Sequence, residues 1–596
     1  MKHLLQILFW IGMQASVYSQ IQIFDFPQNL HFYVREHNEP TFPVPIKIVS
    51  NDSLLLSITC ASAGGQIINR DTLYSKSNGL DTVFALKADT VLYHFTLYNR
   101  NNTNIILAKA DSVVCGDVLL ANGQSNMLAE TFPMGSMNGI KSTWIRSFGN
   151  ATFHSNYIYD TSFYVAQSNT IHDKGSVGCL MYYLAEELVR SEGIPIMVLN
   201  GAEGGTRISQ HQKSSSIYQR LLYRATKSGV KNRIKAIIWY QGENDVDSGH
   251  VDYNKHFESL FYDWQDDYGH TPIFIVQIRH GCLGTQPFVY HRYLRSIQND
   301  LSTILPDTYT LPSLGYYDYD GCHFYNSGYQ QLAVTLHKTI HPVLYGEKLA
   351  SILPPVVKKM ELVAPYTITL EFTTPLMLKD TLLANGQTIY AKDVFFGDSD
   401  FSTPIVDSYH IDNQYLTLRF KDYIGIPDTL WYTPERSYHS DHNSIFEGPY
   451  LYSTTGIPAN SFCLNLKKEI IQIQPSITKL SQNDTSCTII SNSNGKLMYN
   501  TGKVIEQLTI FENTPKMVLF RPTSEIHSFY MFNYIGKKSN VIYILTPVLM
   551  DDTENKTYRE ILRDKRIYDI NGNRVHERDD VPHGLYFRFN KQAIVK

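Results

Sequence analysis

Residues 118–127 read Val118-Leu119-Leu120-Ala121-Asn122-Gly123-Gln124-Ser125-Asn126-Met127. The apolar run is typical of a buried strand and the glycine of a tight turn, so this stretch predicts a strand that delivers Ser125 to a turn. Far downstream, Asp320-Gly321-Cys322-His323 places an acid and a base on one short segment. A serine hydroxyl needs a base to take its proton, and that base needs a carboxylate to fix its tautomer. Ser125, His323 and Asp320 supply these three groups.

Similar strand signals lie on both sides of a helical pattern. Short apolar runs occupy residues 195–200 and 234–240, and amphipathic helical spacing occupies 177–188 and 253–264. This alternation predicts an α/β fold with a parallel sheet, whose functional groups gather at the carboxyl ends of the strands. Further strands are predicted at 273–278 and 308–311, and a helix after Asn326.

Four blocks follow one another along the chain: residues 116–127, Gly204-Gly205-Thr206, Trp239-Tyr240-Gln241-Gly242-Glu243-Asn244-Asp245 and Asp320-Gly321-Cys322-His323-Phe324. In this order they resemble the SGNH hydrolase superfamily, and within it the branch of sialate O-acetylesterases and related carbohydrate acetylesterases. They cover roughly residues 111–345. The resemblance implies an SGNH (flavodoxin-like) three-layer parallel-sheet core.

The resemblance also implies roles for single residues. Ser125 would be the nucleophile, His323 the general base and Asp320 its orienting acid. The oxyanion hole would be formed by the amide of Ser125, an amide of Gly204 or Gly205, and the side chain of Gln241. Gln241 stands where the superfamily usually has an asparagine. No cofactor is implied.

Other candidate residues have alternative interpretations. Met127 replaces the second glycine of the G-x-S-x-G turn of α/β-hydrolases, and no such pentapeptide occurs elsewhere. Glu243 and Asp245 could form a second acid pair for His323, but a structural role is favoured. Arg207 could bind a substrate carboxylate, although an ordinary surface or ion-paired arginine is the simpler interpretation.

No metal site is predicted. Four histidines outside the proposed triad show no metal-ligand spacing such as H-E-x-x-H, and the seven cysteines contain no C-x-x-C pair. Cys322 is interpreted as a loop-filling residue, and no disulfide can be paired from the sequence. The histidines considered are His154, His172, His211 and His280.

Composition limits the class of partner. The 596 residues are 43% hydrophobic with a net charge of −4, and they lack a long basic stretch. This predicts a protein of several domains with no nucleic-acid partner. Residues 1–19 resemble a secretory signal peptide, and no stretch is long enough to span a membrane, which predicts a secreted protein of periplasmic, cell-surface or extracellular location. The oligomeric state is not predicted.

β-rich regions flank the predicted catalytic domain. The predicted divisions are a signal peptide at 1–19, an N-terminal β domain at 20–110, a catalytic domain at 111–350, a β domain at 355–465 and a β-rich region at 466–596. Period-two segments at 53–59 and 91–97 suggest a sandwich, and those at 367–372 and 415–420 a further β domain. The last thirty residues resemble the sorting tail of type IX secretion substrates, with a plain strand-turn-strand as the alternative.

These observations together predict a secreted serine esterase that removes O-acetyl groups from glycans. A sialate O-acetylesterase is favoured by the resemblance. Two alternatives stay open: an esterase acting on acetylxylan or another polysaccharide, and a catalytically inactive carbohydrate-binding protein.

Overall fold

The computed structural model of the protein describes most of the chain up to residue 466 and shorter segments after it. The described residues are 21–36, 38–75, 79–129, 141–149, 160–168, 174–246, 251–279, 289–316, 318–346, 353–364, 366–382, 386–397, 404–421, 427–433, 448–466, 477–482, 486–491, 495–500, 505–510, 516–519, 526–533, 542–545, 567–568, 574–575, 585–588 and 592–595. The predicted signal peptide therefore lies outside them. The chain divides into two compact units, one of Met1–Glu361 with Tyr366–Lys467 and one of Leu362–Pro365 with Lys468–Lys596.

The first unit begins with a β-sandwich. Its strands are β1 (Gln22–Asp25), β2 (Phe32–Val34), β3 (Thr41–Val49), β4 (Leu54–Ala61), β5 (Ile67–Ser75), β6 (Leu80–Lys87), β7 (Leu92–Asn99) and β8 (Asn102–Gly123). β1, β3 and β6 form one sheet, and β5, β4, β7 and β8 pair in that order in another. Alternate side chains such as Ile46, Leu56 and Phe95 fill the shared core. The strands predicted from period-two patterns at 53–59 and 91–97 are confirmed.

β8 joins this sandwich to a larger sheet. The other strands of that sheet are β9 (Lys141–Phe148), β10 (Phe163–Gln167), β11 (Ile196–Asn200), β12 (Ile234–Tyr240), β13 (Ile273–Val276) and β14 (Thr308–Leu311). They lie in the order β10-β9-β11-β8-β12-β13-β14, with β10 antiparallel at one edge and the other neighbours parallel. β8 runs through residue 110 without a break, so the N-terminal β region and the large sheet share one strand.

Six α-helices accompany the large sheet in the described part of the chain. They are α1 (Ser125–Leu128), α2 (Cys179–Glu192), α3 (Ser216–Lys227), α4 (Tyr253–Tyr268), α5 (Val289–Ile304) and α6 (Asn326–Tyr345). α2 packs against α6, and α4 against α5. α2, α4 and α6 lie where the sequence predicts them, and α4 buries Phe257, Leu260 and Trp264 at helical spacing. No helix among the described residues is long and apolar enough to cross a membrane.

A buried charge cluster holds the amino end of the large sheet. Asp117 on β8 accepts two hydrogen bonds from Arg35, both at 2.9 Å, and one from the Tyr345 hydroxyl at 2.8 Å. Lys235 on β12 lies 3.7 Å from the same carboxylate. A buried carboxylate is tolerated because opposite charges and donors surround it. This end of the sheet is therefore occupied by paired charges.

A smaller β region completes the first unit. The strands in this part of the chain are β15 (Val357–Ala364), β16 (Thr367–Phe372), β17 (Leu376–Met377), β18 (Thr381–Leu382), β19 (Thr388–Ile389), β20 (Phe395–Phe396), β21 (Val406–Asp412), β22 (Tyr415–Phe420), β23 (Thr429–Tyr432), β24 (Tyr452–Ser453) and β25 (Cys463–Asn465). β16 and β22 confirm two predicted strands and pair antiparallel. The region is joined to the large sheet by hydrogen bonds from the Gln277 side chain to the Ser461 carbonyl and from Asn460 to the Thr310 carbonyl, both at 2.9 Å.

The second unit contains short antiparallel strands. They are β26 (Ile477–Gln482), β27 (Ser486–Ser491), β28 (Gly495–Asn500), β29 (Ile505–Ile510), β30 (Lys516–Leu519), β31 (Ile526–Asn533), β32 (Ile542–Leu545), β33 (Ile567–Tyr568), β34 (Arg574–Val575), β35 (Leu585–Arg588) and β36 (Gln592–Val595). β34, β33, β35 and β36 form one sheet in that order. The segment predicted as a sorting tail falls partly on this sheet, and its role stays a prediction.

Candidate active site

The candidate site lies at the carboxyl ends of three parallel strands. β8 ends at Gly123, β11 at Asn200 and β12 at Tyr240, and one of the sequence blocks includes or follows each of these strand ends. Gly123 has a φ of +145°, and a Cβ at this position would lie 2.1 Å from the carbonyl oxygen of Tyr240. Only glycine permits this approach of β8 to β12. Open α/β sheets commonly bind ligands at this edge.

Ser125 and His323 are in direct contact. The Oγ of Ser125, the first residue of α1, lies 2.9 Å from Nε2 of His323. The two residues are 198 positions apart in the chain. The His323 side chain is 22% exposed, so a substrate can reach the pair from solvent. This is the distance at which a base can take the proton of a hydroxyl.

Asp320 shapes the loop that carries His323. Its Oδ1 accepts hydrogen bonds from the amides of Cys322 at 2.7 Å and His323 at 2.6 Å, while Oδ2 lies 3.9 Å from His323 Nδ1. Gly321 has a φ of +100°, which lets the chain turn between acid and base. Burial alone would raise the pKa of Asp320, but hydrogen bonds from His323 and the two amides lower it below its ordinary value. The carboxylate is therefore charged beside the imidazole.

Asn126 ties the serine turn to this loop. Its side-chain amide donates to Oε1 of Glu243 at 2.6 Å and to the carbonyl of Cys322 at 2.9 Å. Its Oδ1 accepts from the Tyr329 hydroxyl at 3.0 Å. The side chain is buried, so these bonds fix the neighbouring Ser125 relative to His323. Asn126 has no role predicted from the sequence, although its position next to Ser125 was a usable signal.

The backbone amides that the sequence predicts as oxyanion donors are those of Ser125, Gly204 and Gly205. Gly204 and Gly205 are exposed on the loop after β11, and a Cβ on Gly204 would contact Leu128 of α1 at 3.7 Å. Within the described residues, the amides of Ser125, Gly204 and Gly205 donate to no backbone acceptor. The glycine loop thus lies beside the helix that begins at Ser125.

The side chain of Gln241 is placed differently from its predicted role. It is fully buried, and its amide nitrogen donates to Oε1 of Gln124 at 3.2 Å, to the Thr206 carbonyl at 3.0 Å and to Oδ2 of Asp245. Three acceptors around one NH₂ group leave no hydrogen for a further partner. In this arrangement the buried Gln241 side chain supports the segments that carry the site residues. It can bind an oxyanion only after these hydrogen bonds rearrange.

The other acidic candidates lie inside the protein. Glu243 is buried, and burial, opposed by the hydrogen bond from Asn126, raises its pKa. Asp245 is also buried, and its Oδ2 accepts from the amide of Ile208 at 2.9 Å, at the start of a 3-10 turn over Ile208–His211. Asp245 therefore has the structural role that was favoured for it from the sequence.

Among the described residues, Arg207 and His211 show no catalytic arrangement. Arg207 is half-buried just before the 3-10 turn, and its role in binding a carboxylate stays a prediction. His211 lies 2.8 Å from the Thr206 hydroxyl, and burial followed by the nearby charge of Arg220 lowers its pKa to about 3. His154, His172 and His280 lie outside the described residues.

Cys322 is disulfide-bonded, so its sulfur is not a nucleophile. Cys60, Cys115, Cys179, Cys463 and Cys487 are free thiols. In the part of the chain that the structure describes, no three His, Cys, Asp or Glu side chains are placed to hold a metal ion.

Comparison with known proteins finds carbohydrate esterases among the similar chains. An 80-residue segment is 32% identical to a probable carbohydrate esterase of Arabidopsis thaliana, covering 13% of this chain and about a third (31%) of that protein's length. Among solved structures, a carbohydrate acetylesterase from Xanthomonas citri is 20% identical over 74% of this chain and 99% of that chain, with a TM-score of 0.48. A structure of a protein from Arabidopsis thaliana is 20% identical over 38% of this chain and 98% of that chain, with a TM-score of 0.31. Residues 115–341 match the family model described as SASA, a carbohydrate esterase and sialic acid-specific acetylesterase, and this match confirms the resemblance predicted from the four sequence blocks.

Proposed function

We propose that this protein is a serine esterase that removes O-acetyl groups from a glycan. The observation that carries this proposal is the 2.9 Å contact between Ser125 Oγ and His323 Nε2 at the carboxyl edge of the sheet. The match of residues 115–341 to a carbohydrate esterase family supports the ester and glycan parts of the proposal. We also propose the three-layer SGNH arrangement for this region.

In the first half-reaction, Ser125 Oγ attacks the acetyl carbonyl carbon while His323 Nε2 takes the hydroxyl proton. The charged Asp320 stabilises the resulting imidazolium. The developing oxyanion would be held by the amides of Ser125 and of Gly204 or Gly205. Collapse of the tetrahedral intermediate breaks the bond to the sugar oxygen, which receives the proton from His323. The acetyl group is then on Ser125.

In the second half-reaction, water attacks the acetyl-serine. His323 takes a proton from this water and returns it to Ser125 Oγ when the intermediate collapses. Acetic acid leaves and ionises to acetate in solvent, and the free hydroxyl of Ser125 is restored. The 22% exposure of His323 is consistent with access for this water.

The substrate that we propose is an O-acetylated sialoside, with acetylxylan or another acetylated polysaccharide as the alternative. The half-buried Arg207 lies two residues after the exposed Gly205, in the segment that follows β11. A guanidinium pairs well with the carboxylate of a sialic acid. We further propose that the protein is secreted, on the basis of the signal-like residues 1–19 and the tail-like C-terminus.

The test is acetate release over a panel that includes O-acetylated sialosides and acetylxylan, with Ser125→Ala as the matched control. The wild type should release acetate, and the variant should lose activity by at least about 10³-fold, because triad members act as a unit. A fluorophosphonate probe should label the wild type at Ser125. Variant activity within about tenfold of the wild type would remove Ser125 from the nucleophile role.

A further inference from the structure

Arg279 contacts both ends of the loop that carries Asp320 and His323. It is buried just after β13, and its Nη1 donates to the carbonyl of Tyr316 at 2.7 Å, before the loop. Its guanidinium lies over the ring of Tyr319, 4.1 Å from the centroid, and 5.5 Å from the centroid of Phe324, beyond the loop. One planar cation thus touches the residues that flank the acid and the base.

Tyr319 and Phe324 close the loop at its base. The two residues form an antiparallel bridge, and their ring centroids are 5.1 Å apart. Between them lie the four residues Asp320 to His323. Displacement of either residue at this bridge would move the backbone that presents His323 to Ser125. The contact between Arg279 and both rings therefore bears directly on that geometry.

Arg279 is itself held from behind. Its carbonyl accepts from Nη1 of the buried Arg295 on α5 at 3.2 Å. Its Nη2 donates to the hydroxyl of Tyr450 at 3.3 Å. Tyr450 belongs to the β region that follows the large sheet, so this region helps to fix the guanidinium.

We propose that Arg279 is a positioning residue, which holds the Asp320–His323 loop so that Nε2 of His323 stays within reach of the Ser125 hydroxyl. The inference rests on the proposed function, because it assigns a purpose to that contact. A lysine cannot reproduce the role. Its ammonium is a point charge that neither lies flat on two rings nor donates in a fixed fork.

Arg279→Lys tests this inference, with Arg292→Lys as the matched control. Arg292 is equally buried, and its guanidinium lies 4.3 Å from the centroid of Trp431. Among the described cation–ring contacts it lies over neither Tyr319 nor Phe324. With 4-nitrophenyl acetate as the substrate, Arg279→Lys should lower kcat about 10- to 100-fold, since small misplacements of catalytic groups are costly. KM should stay within about threefold. Arg292→Lys should lower Tm while the folded fraction keeps kcat within about twofold.

Equal losses of kcat in both folded variants, or an unchanged kcat in Arg279→Lys, would overturn the inference. If Arg279→Lys does not fold, Tyr319→Leu removes the main stacking ring and leaves the Tyr316 contact in place. That variant should lose at least about fivefold in kcat, and an unchanged value would equally overturn the inference. Ser125→Ala, measured in parallel, separates the two proposals. An active Ser125→Ala contradicts the proposed function, whereas an inactive Ser125→Ala beside a fully active Arg279→Lys contradicts only the positioning role.

Discussion

The loop at 320–323 and the turn at 241–245 both carry acidic residues near His323, yet they are built in opposite ways. Asp320 is 21% exposed, accepts two backbone amides, and has a lowered pKa. Glu243 is buried, accepts from Asn126, and has a raised pKa because burial penalises its charge. One carboxylate is stabilised as an anion, and the other is not.

This difference separates chemistry from support. An acid that steadies an imidazolium must be charged when the proton arrives, and the hydrogen bonds to Asp320 favour the charged form. In the turn, the polar groups instead form hydrogen bonds inside the protein. Gln241 donates to three acceptors, and Asp245 accepts a hydrogen bond from the amide of Ile208. We infer that the loop acts on the substrate and that the turn holds the strands beneath it.

The largest expected effect comes from Asp320→Asn. Asparagine keeps an oxygen for the amides of Cys322 and His323, so the loop retains its shape, but the charge beside the imidazole is lost. A fall of roughly 10⁴ in kcat has precedent in other triads. Steady-state kinetics on 4-nitrophenyl acetate would measure it, and a fall of less than about tenfold would break the contrast between loop and turn.

The stability difference between the wild type and Asp320→Asn should depend on pH. Because the pKa of Asp320 is lowered on folding, its carboxylate contributes stability above the ordinary Asp range of about 3.9, and this is lost as the pH falls through the folded value. In thermal unfolding, the wild type should therefore have a higher Tm than Asp320→Asn at neutral pH, and the two Tm values should converge in acid. A gap that widens in acid would contradict the assignment of a stabilised anion.

Gln241→Ala tests whether the turn at 241–245 has a supporting role. Alanine removes the donor to Gln124, Thr206 and Asp245 and leaves a buried cavity. We expect the free energy of unfolding to fall by about 2 to 4 kcal/mol, measured by denaturant unfolding, with kcat of the folded protein within about tenfold. A fall of about 10² to 10³ in kcat at unchanged Tm and KM would show instead that the amide rearranges to bind the oxyanion.

Local sequence patterns were sufficient for five strands of the large sheet (β8, β11, β12, β13 and β14) and for three helices (α2, α4 and α6), but they did not predict β9 or β10. The apolar run at 234–240 reads as a strand because a buried parallel strand is apolar on both faces, and β12 occupies those residues. The spacing of Phe257, Leu260 and Trp264 similarly predicts α4. The apolar run at 196–200 and the glycine block at 204–206 do not reveal which backbone amides are accessible to solvent.

What the sequence could not supply is the partner of each polar group. Gln241 follows a strand in the right block for an oxyanion donor, but its hydrogen bonds depend on Gln124 and Thr206 from other strands' ends. Arg279 lies in no motif, and its contact with Tyr319 across 40 positions exists only in the folded chain. Side-chain pairing between distant segments is set by tertiary packing, which a single sequence does not display.

The smallest expected effect comes from Glu243→Gln. Oε1 of Glu243 is bonded to Asn126, whereas Oε2 has no hydrogen-bond partner among the described residues. The variant keeps the carbonyl acceptor and removes a buried charge, so we expect kcat to change by less than about tenfold. Burial raises the pKa of Glu243. The folded wild-type protein therefore loses stability as the pH rises from the ordinary Glu pKa of about 4.3 through the pKa of the folded state.

Replacing Glu243 by glutamine should therefore raise Tm at neutral pH and leave it unchanged in acid, the opposite sign to Asp320→Asn. Measuring Tm and kcat of both variants between about pH 3 and pH 8 tests the contrast directly, because each serves as the control for the other. If Glu243→Gln instead cost about 10³ to 10⁴ in kcat while Asp320→Asn was mild, the acid for His323 would be Glu243. The exposed loop would then be the support, and the buried turn would carry the chemistry.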